Sequence, residues 1–310
     1  MDGILILDKP EGFTSFDLVA KTRGMLRTRK VGHAGTLDPM ATGVLPIFVG
    51  KATRCCDILP DSDKQYLARF QLGWTTDTLD RTGTVKERFA VNCGRQEVEA
   101  VLERFRGDIQ QLPPMYSAIQ VGGKRLYDLA RQGVEVERKP RPVTIRQLEL
   151  TGAWEEEHTY EILVTCSKGT YIRTLCDDIG AALGCGAVMT SLRRTRAAGF
   201  GLEEALSLEE AQRLCDSGEL ASRLLPLERV FASLPALSLQ GKQENMYRNG
   251  VRLDARRLPW PADFPKDWEG EIRVLGEDGA FLGLAQVREG LLVTRKFFGQ
   301  PAAHEEGTRG

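Results

Sequence analysis

The sequence predicts an α+β protein with two domains, a larger mixed domain followed by a small β domain. Over roughly the first 230 residues, short apolar runs typical of strands alternate irregularly with helical periodicity. The composition shifts near residue 230, and from Glu271 onward short strands are separated by tight turns, which indicates an antiparallel meander. We therefore expect a first domain over residues 1–230, a second over 234–298, and a polar tail over 299–310.

The strand predictions for the larger domain rest on apolar runs and on period-two alternation. The clearest alternation lies between Tyr66 and Leu72, where every second residue is apolar, as in a strand with one buried face. Residues 75–83, by contrast, form a polar, aspartate-rich stretch that is typical of a loop. The predicted strands are residues 4–7, 44–49, 66–72, 143–150 and 160–166.

Helical periodicity and capping residues predict the helices of the same domain. The first helix begins at Thr14 or Ser15, and residues 97–107 show the most regular amphipathic spacing. A further helix follows Arg173, and Ser207 opens another with a capping box. The core-facing positions predicted for the first helix are Phe16, Val19, Ala20 and Leu26.

The sequence also excludes several classes of protein. No apolar run reaches the roughly 20 residues of a membrane helix, and the N-terminus has no basic leader of the kind found in signal peptides. The seven cysteines include no Cys-x-x-Cys pair, and the three histidines lie far apart, so neither a disulfide framework nor a zinc site is predicted. We expect a cytoplasmic protein with reduced thiols and no bound metal.

The net charge of −1 conceals an uneven distribution of charge. Basic residues dominate segments 18–37 and 121–146, whereas acidic residues dominate segment 203–228. Within the second basic segment, residues 120–142 combine glycines, prolines and like charges, so we expect a mobile basic arm with a short helix at 126–130. A basic face can therefore exist on a nearly neutral protein, although ordinary solvated helix faces would give the same pattern.

One stretch constrains the backbone around a single acid. Gly32, Gly35 and Gly43 allow conformations that are closed to other residues, and Pro39 biases Asp38 away from helix. We expect Asp38 on a tight loop directly after a basic segment. The alternative is a turn aspartate that only hydrogen-bonds its own backbone.

Three further polar residues, Tyr66, Tyr171 and Arg173, could complete a site around Asp38. If Arg173 meets Asp38, its charge favours the ionised carboxylate, which can act as a nucleophile at a glycosidic carbon. The alternative is an ordinary surface ion pair. No second acid of a glycosidase pair, Ser-His-Asp set or phosphate-binding glycine loop is readable. One carboxylate with aromatic residues and basic segments suits an enzyme acting on a base drawn out of RNA.

These residues fall within motifs that resemble those of the TruB family of tRNA pseudouridine synthases. The signature-like loop reads Gly32-His33-Ala34-Gly35-Thr36-Leu37-Asp38-Pro39-x-Ala41-Thr42-Gly43-Val44-Leu45. Six other segments match in order over about residues 1–200: Lys9-Pro10-x-Gly12-x-Thr14-Ser15, Lys64-x-Tyr66, Pro113-Pro114-Met115-Tyr116-Ser117-Ala118, Gly123-x-x-Leu126-Tyr127-x-x-Ala130-Arg131, Gly169-Thr170-Tyr171-Ile172-Arg173-Thr174-Leu175 and Leu192-Arg193-Arg194-Thr195. Gln120 departs from the family pattern, which usually has a lysine there, and the resemblance implies a weaker contact of the thumb with phosphate and no effect on the chemistry.

The resemblance implies a pseudouridine synthase fold, with a central mixed, largely antiparallel sheet flanked by helices. It also implies a thumb insertion at about residues 120–142 and a PUA-like RNA-binding domain at 234–298. The implied reaction converts uridine 55 in the TΨC loop of tRNA to pseudouridine, without metal, nucleotide or redox cofactor. The implied partner is the T stem-loop of tRNA, and the protein would be a monomer without an obligate protein partner or membrane contact.

The resemblance further implies a role for each site residue. Asp38 would be the nucleophile, attacking C1′ of the ribose or C6 of the pyrimidine, and Arg173 would hold Asp38 in place. Tyr66 would stack on the uracil and help to remove the C5 proton, and His33 would enter the gap left by flipped bases. The residues lining the pocket would be Tyr171 and Leu192. For Leu192, a place in the core is an equally good interpretation.

Three other functions share these features. A non-catalytic RNA-folding module would use the same surface to remodel the tRNA elbow. A guide-RNA-dependent synthase of the dyskerin type would share the Asp38 loop but need protein partners. A glycosylase would stop at release of the base. The insertion at 120–142 and the lack of long basic termini favour a stand-alone enzyme.

Overall fold

A mixed β-sheet is the centre of the first of two units into which the chain divides, Met1–Leu225 and Pro226–Gly310. The computed structural model describes residues 1–60, 63–117, 119–261, 264–265 and 268–300. The predicted polar tail falls outside these residues from position 301 onward. None of the described helices is long and apolar enough to cross a bilayer.

The strands of the first unit form this sheet and two small ribbons. In chain order they are β1 (Gly3–Lys9), β2 (Val31–His33), β3 (Thr42–Val49), β4 (Lys64–Leu72), β5 (Trp74–Thr76), β6 (Val85–Arg88), β7 (Gly107–Gln111), β8 (Gln120–Val121), β9 (Lys124–Arg125), β10 (Arg141–Trp154), β11 (Thr159–Cys166), β12 (Ala187–Ala197) and β13 (Phe200–Gly201). The order across the sheet is β1-β3-β12-β4-β11-β10-β7, with β2 on β3 and β13 on β12. Among the described pairings of the sheet, β3 with β12 is parallel and the others are antiparallel. The predicted α+β class is thus confirmed.

Helices cover this sheet in two groups, each with its own apolar core. They are α1 (Ser15–Met25), α2 (Arg95–Leu102), α4 (Ile172–Ala182) and α5 (Leu208–Asp216), whereas α3 (Leu126–Arg131) follows the β8–β9 ribbon. Helices α2 and α4 pack on β4, β10, β11 and β12, where the alternation predicted for β4 places four residues in the core. Helices α1 and α5 pack on β1 and β3. The predicted capping box of α5 is confirmed, since Ser207 and Glu210 bond each other's backbone N–H.

The second unit contains the predicted antiparallel meander. Its elements are β14 (Ala236–Ser238), α6 (Gly241–Arg248), β15 (Leu253–Asp254), β16 (Gly270–Leu275), β17 (Phe281–Arg288) and β18 (Leu291–Phe297). Strands β16, β17 and β18 pair in succession, antiparallel, and β14 adds to β16 in parallel. The core of this unit is separate from the two cores of the first.

Helix α1 turns a different face to the core from the one that apolar spacing predicts. Thr14 is the N-cap: its hydroxyl accepts the Asp17 N–H at 3.1 Å, and the Asp17 carboxylate accepts the Thr14 N–H at 2.8 Å. The prediction is wrong for Phe16 and Ala20, which are exposed. Ser15 turns inward instead because its hydroxyl bonds a neighbouring loop, a contact that periodicity does not reveal. The buried positions of α1 are Ser15, Leu18, Val19 and Thr22.

The central strand β12 is absent from the strands that sequence patterning predicts. It carries three arginines, yet it lies between β3 and β4 in the middle of the sheet. Arg193 is accommodated by an ion pair with Asp8 at 2.7 Å, and Arg194 is fully buried. Strand prediction depends on a pattern of apolar residues, and these arginines interrupt that pattern. The strand is therefore missed although its arginines are paired or buried in the structure.

The seam between β3 and β12 leaves no room for a side chain at Gly43. This residue pairs with Arg194 and has a φ of +104°, and a Cβ atom there would lie 2.1 Å from the Arg194 carbonyl oxygen. We predict that Gly43→Ala lowers the free energy of unfolding by about 3–5 kcal/mol, from steric overlap added to backbone strain. Urea denaturation measures this change.

Gly107→Ala is the matched control for the effect at Gly43. Gly107 also has a positive φ, +81°, but nothing lies within 4 Å of a Cβ atom added there. Gly107→Ala should therefore lower the free energy of unfolding only by the backbone strain, about 1–2 kcal/mol. If both variants lost the same free energy of unfolding, the close approach of β12 at Gly43 would contribute nothing to the effect of the substitution.

Candidate active site

An open cleft of about 940 Å³ in the first unit brings together residues that are far apart in the sequence. Its walls come from the loop after β2, the start of α1, strands β4 and β12, the start of α4, and the segment that leads into β8. All six residues that the resemblance singles out line it: His33, Asp38, Tyr66, Tyr171, Arg173 and Leu192. Asp38 is the acid among the described lining residues.

The loop that carries Asp38 is fastened to the N-terminal end of α1. The Ser15 hydroxyl accepts the Leu37 N–H at 2.8 Å and donates to the Leu37 carbonyl at 3.2 Å. On the other side of Asp38, the Pro39 carbonyl accepts the Gly12 N–H at 2.9 Å. Hydrogen bonds to both of its neighbours therefore fix the backbone at Asp38.

Lys9 supports the same loop from within the protein. Its side chain is fully buried, and its ammonium donates to the carbonyls of Pro39, at 3.1 Å, and Phe13. Burial lowers the pKa of Lys9 to about 8, and the nearby Asp38 carboxylate opposes this fall. Lys9 thus adds a buried positive charge beneath the loop at neutral pH.

The guanidinium of Arg173 is buried behind Asp38 and has four partners. Its Nε lies 3.1 Å from Oδ2 of Asp38, and its Nη1 lies 3.6 Å from Oδ2 of Asp80. Nη1 also donates to the Thr78 carbonyl at 3.1 Å, and Nη2 donates to the Tyr116 carbonyl at 2.9 Å. Because the planar guanidinium is held at several points, it presents Nε to Asp38 in a fixed orientation.

Asp80 is a residue of this site that sequence analysis missed. It belongs to the polar stretch predicted as a loop, yet its side chain is only 6% exposed. Its Oδ1 accepts hydrogen bonds from the Thr78 hydroxyl at 2.8 Å, the Thr82 hydroxyl at 2.6 Å and the Thr82 N–H at 3.0 Å. Oδ2 is left to face Arg173. The spacing Thr-x-Asp-x-Thr is the signal that could have identified an aspartate fixed by its neighbours.

The charge state of Asp38 reflects competing effects. Burial between the cleft walls raises the pKa of its carboxyl above the ordinary value, and the Asp80 carboxylate raises it further. Arg173 and, to a smaller extent, Lys9 lower it. The net direction is upward, although the side chain remains 40% exposed to the cleft. A carboxylate with a raised pKa is more basic, which suits a nucleophile, and Arg173 keeps it from being protonated more readily still.

Tyr66 and Leu192 belong to neighbouring strands, β4 and β12, and line the cleft beside Asp38. Both are nearly buried, with 6% and 7% exposure. The register pairs Leu192 with Ala68 and Arg194 with Tyr66. Leu192 is a member of the core cluster as well as a lining residue, so both interpretations of this leucine hold.

Tyr171 and His33 are each placed by the end of a regular element. Tyr171 is the N-cap of α4, and the Gln111 side chain bonds both its N–H, at 2.7 Å, and its carbonyl, at 3.0 Å. His33 ends β2, and burial, assisted by the Arg194 charge, lowers the pKa of its imidazole. His33 is therefore neutral at pH 7.

A further wall of the cleft comes from the segment that begins the predicted thumb insertion. Gln120 opens the hairpin of β8 and β9, which leads directly into α3, so the predicted helix at 126–130 is confirmed. The Tyr127 N–H donates to the Ser117 carbonyl at 3.0 Å, which ties α3 to the segment before the hairpin. The lining residues from this part of the chain are Tyr116, Ser117, Gln120 and Tyr127.

The pKa shift of Asp38 predicts how its removal changes stability. A folded-state pKa above the unfolded value means that this group's contribution to stability is present at low pH and lost as pH rises through the folded pKa. Near neutral pH the ionised group is therefore held at a cost. We predict that Asp38→Asn does not lower the free energy of unfolding at pH 7, as measured by urea denaturation.

Asp17→Asn should behave in the opposite way. Hydrogen bonds from Thr14 at the helix cap lower the pKa of Asp17, so its contribution is present above the unfolded pKa and lost as pH falls. This variant should be less stable than the unchanged protein at pH 7, and the difference should shrink toward acid pH. If Asp38→Asn lost as much stability at pH 7 as Asp17→Asn, the pKa of Asp38 could not be raised in the folded protein.

Comparison with known proteins shows the family to which this chain is similar. The model described as TruB family pseudouridylate synthase, N-terminal domain, matches residues 23–172, and the tRNA pseudouridylate synthase B C-terminal domain matches 173–232. A protein named tRNA pseudouridine synthase B from Pseudomonas fluorescens is 46% identical over 292 residues, 93% of this chain and 92% of that protein. One of the same name from Clostridium kluyveri is 44% identical over 253 residues, 82% of this chain and 86% of that protein.

The fold is also found in a solved structure. The crystal structure of a Cbf5–Nop10–Gar1 complex contains a chain that superposes with a TM-score of 0.72 at 25% identity, covering 96% of this chain and 85% of that one. The predicted pseudouridine synthase fold is thereby confirmed. This chain belongs to the TruB family of pseudouridylate synthases.

Proposed function

We propose that this protein is a tRNA pseudouridine synthase that isomerises uridine 55 in the TΨC loop. The observation that carries the proposal is the 3.1 Å ion pair between Asp38 and Arg173, in a cleft that is also lined by Tyr66. Relatives that are 44% and 46% identical over most of the chain are named tRNA pseudouridine synthase B, which supports tRNA as the substrate.

Asp38 is the proposed nucleophile. Its carboxylate attacks C1′ of the ribose or C6 of the pyrimidine, and on either route the glycosidic bond breaks and the uracil turns within the cleft. C5 then bonds to C1′, the bond to Asp38 breaks, C5 loses its proton and N1 gains one. The product is an isomer of the substrate, so no atom or electron has to be supplied and we propose no cofactor.

Tyr66 is proposed to stack on the uracil and to take the C5 proton. An aromatic ring on the cleft wall replaces the stacking partners that a base loses when it leaves the RNA. Extrusion costs a few kcal/mol, and contacts with Tyr66, Tyr171 and Leu192 offset that cost. Arg173 is proposed as the residue that positions Asp38, since it is held in turn by Asp80.

His33 is proposed to occupy the space that the extruded bases leave. A neutral imidazole loses less hydration than a cation when it enters a stack of bases. Burial and the Arg194 charge both lower the pKa of His33, which keeps the ring neutral at working pH. His33 ends β2, five residues before Asp38, and both residues line the cleft, which supports this role.

Basic segments are proposed to bind the RNA backbone. Arg27, Arg29 and Lys30 are exposed directly before the Asp38 loop, and the insertion at 120–142 adds exposed lysines and arginines. Binding through such contacts weakens steeply with salt. We further propose residues 1–230 as the catalytic domain, with 120–142 as its thumb, and 234–298 as a PUA-like RNA-binding domain.

The proposed enzyme works alone, as a monomer in the cytoplasm, where tRNA is its substrate. A guide-RNA-dependent synthase is the nearest alternative, because the solved structure of similar fold belongs to a Cbf5–Nop10–Gar1 complex. The higher identity to proteins named for tRNA favours the stand-alone enzyme. Activity of the purified protein on a T stem-loop transcript, without added RNA or protein, distinguishes the two.

We predict that Asp38→Asn abolishes pseudouridine formation and leaves tRNA binding within about threefold of the unchanged protein. The amide has nearly the same shape but cannot attack carbon, and only the covalent step depends on the carboxylate. Carbodiimide-stop mapping of a T stem-loop transcript measures the product, and filter binding measures affinity.

A transcript with cytidine at position 55 is the control for site specificity in this assay. Appreciable turnover by Asp38→Asn would exclude Asp38 as the nucleophile, and free uracil in place of pseudouridine would indicate a glycosylase. If Asp38→Asn still promotes tRNA folding, the RNA-folding activity is separate from the chemistry.

Tyr66→Phe should slow the single-turnover rate by about 10²–10⁴-fold, the usual contribution of a general base. Affinity for the transcript should change little, because phenylalanine preserves the stacking ring. Tyr171→Phe provides the comparison, since the proposed role of Tyr171 is to line the pocket and the ring is retained. A rate for Tyr66→Phe equal to that of the unchanged protein would show that the Tyr66 hydroxyl takes no part.

A further inference from the structure

Arg194 is the largest fully buried side chain in the described part of the chain. It lies at the centre of the sheet, where the register of β12 places it beside Tyr66 on one neighbouring strand and Gly43 on the other. Since alternate residues of a strand share a face, Arg194 lies on the same side of the sheet as the cleft-lining Leu192. It does not line the cleft itself.

The guanidinium of Arg194 is only partly satisfied. Its Nε donates to the Val44 carbonyl at 2.8 Å, but Nη1 and Nη2 are buried without a hydrogen-bond partner. Among the described residues, no carboxylate lies within ion-pair distance of it. Arginine keeps its charge in proteins, and a buried cation without a counterion is costly. A group retained at such a cost calls for an explanation from function.

The groups that face this cation explain what it acts on. Its titratable neighbours are Tyr66, Lys9, Lys64 and His33. Nη1 would lie 3.2 Å from a Cβ atom at Gly35, so the absence of a side chain there leaves room for the guanidinium. The two lysines and the histidine gain nothing from a nearby positive charge. Tyr66 is the neighbour that can become an anion, and the register pairs it directly with Arg194 on the adjacent strand.

We propose that Arg194 is a positioning residue that stabilises the phenolate form of Tyr66, the form able to accept a proton from the pyrimidine. This rests on the proposed function of the cleft. The phenolate oxygen takes the proton from C5, the electron pair of the C–H bond stays in the ring, and N1 takes a proton from solvent. Tyr66 then returns its proton to solvent, so the step is balanced and needs no co-reactant.

Other groups around Tyr66 act against its ionisation. Burial raises the pKa of the Tyr66 hydroxyl, and Cys166 on β11 and Asp38 on its loop raise it further, whereas Arg194 opposes all three. Arg194 acts through Tyr66 and not on the RNA, because its nitrogens are closed off from the cleft. A phosphate of the substrate therefore cannot be its counterion.

The first test is independent of activity. The ultraviolet absorbance of phenolate is titrated in the full-length protein and in Tyr66→Phe, and the difference gives the midpoint for Tyr66. The same pair of titrations is made in Arg194→Met and Arg194→Lys. We expect Arg194→Met to raise the midpoint by about one pH unit or more, corresponding to about tenfold less phenolate at a given pH. Arg194→Lys keeps the positive charge, so its Tyr66 midpoint should lie between those of the unchanged protein and Arg194→Met.

The second test measures the reaction. Single-turnover rates on a T stem-loop transcript are followed against pH for each variant. Arg194→Met should be about tenfold slower at pH 7 and should regain rate at higher pH, whereas in the Tyr66→Phe background it should have no further effect. Arg193→Met is the matched control, because Arg193 is adjacent on β12 but pairs with Asp8, so the midpoint and pH profile should be unchanged.

The outcomes separate this inference from the proposed function. Circular dichroism and thermal unfolding measure whether Arg194→Met is folded. We expect a folded protein, because an unpaired buried charge is replaced by an apolar side chain of similar length. An unchanged Tyr66 midpoint in folded Arg194→Met overturns the proposal. If the unchanged protein forms no pseudouridine, the proposed function fails, and the titration still decides whether Arg194 controls Tyr66.

Discussion

A buried guanidinium shared between two carboxylates determines the geometry of the whole cleft. Arg173 contacts Asp38 on the cleft side and Asp80 on the protein side, and two backbone carbonyls fix its plane. Asp80 alone could not be buried without a cation, and Asp38 without Arg173 would be protonated more readily. The network therefore combines partial burial of Asp38 with a neighbouring cation that favours its ionised form.

The sheet places this network beside the aromatic wall by bringing three strands together at one point. Strand β12 pairs in parallel with β3, which follows the Asp38 loop, and antiparallel with β4, which carries Tyr66. Only glycine fits at position 43, where β3 and β12 lie close together. This close approach fixes the distance between β3, which follows the Asp38 loop, and β12, which pairs with the strand of Tyr66. Strand β12 also carries Leu192, which lines the cleft, and Arg194, which is fully buried.

Local signals in the sequence predict much of this architecture. Alternation identifies β4, a capping box identifies α5, and turn residues identify the meander of the second unit. The loop glycines single out Asp38, and family motifs add its companions. Arg194 and Phe16 could not be predicted in the same way. Arg194 is placed by partners far along the chain, and Phe16 is exposed because Ser15 turns inward to bond the Asp38 loop. Such contacts leave no periodic trace in the sequence. Asp80 has a local signal in its two flanking threonines, but its pairing with Arg173 is a long-range contact that this signal does not reveal.

The hydrogen bond from Arg173 to the Tyr116 carbonyl connects Asp38 to another wall of the cleft. Tyr116 lies on the segment that continues into the hairpin of β8 and β9, so the guanidinium that contacts Asp38 also bonds the segment before that hairpin. A displacement of this segment by about 1 Å would deprive Arg173 of one acceptor and change the balance of charge at Asp38. Asp38 is thus linked through Arg173 to the part of the cleft wall that Tyr116 contributes.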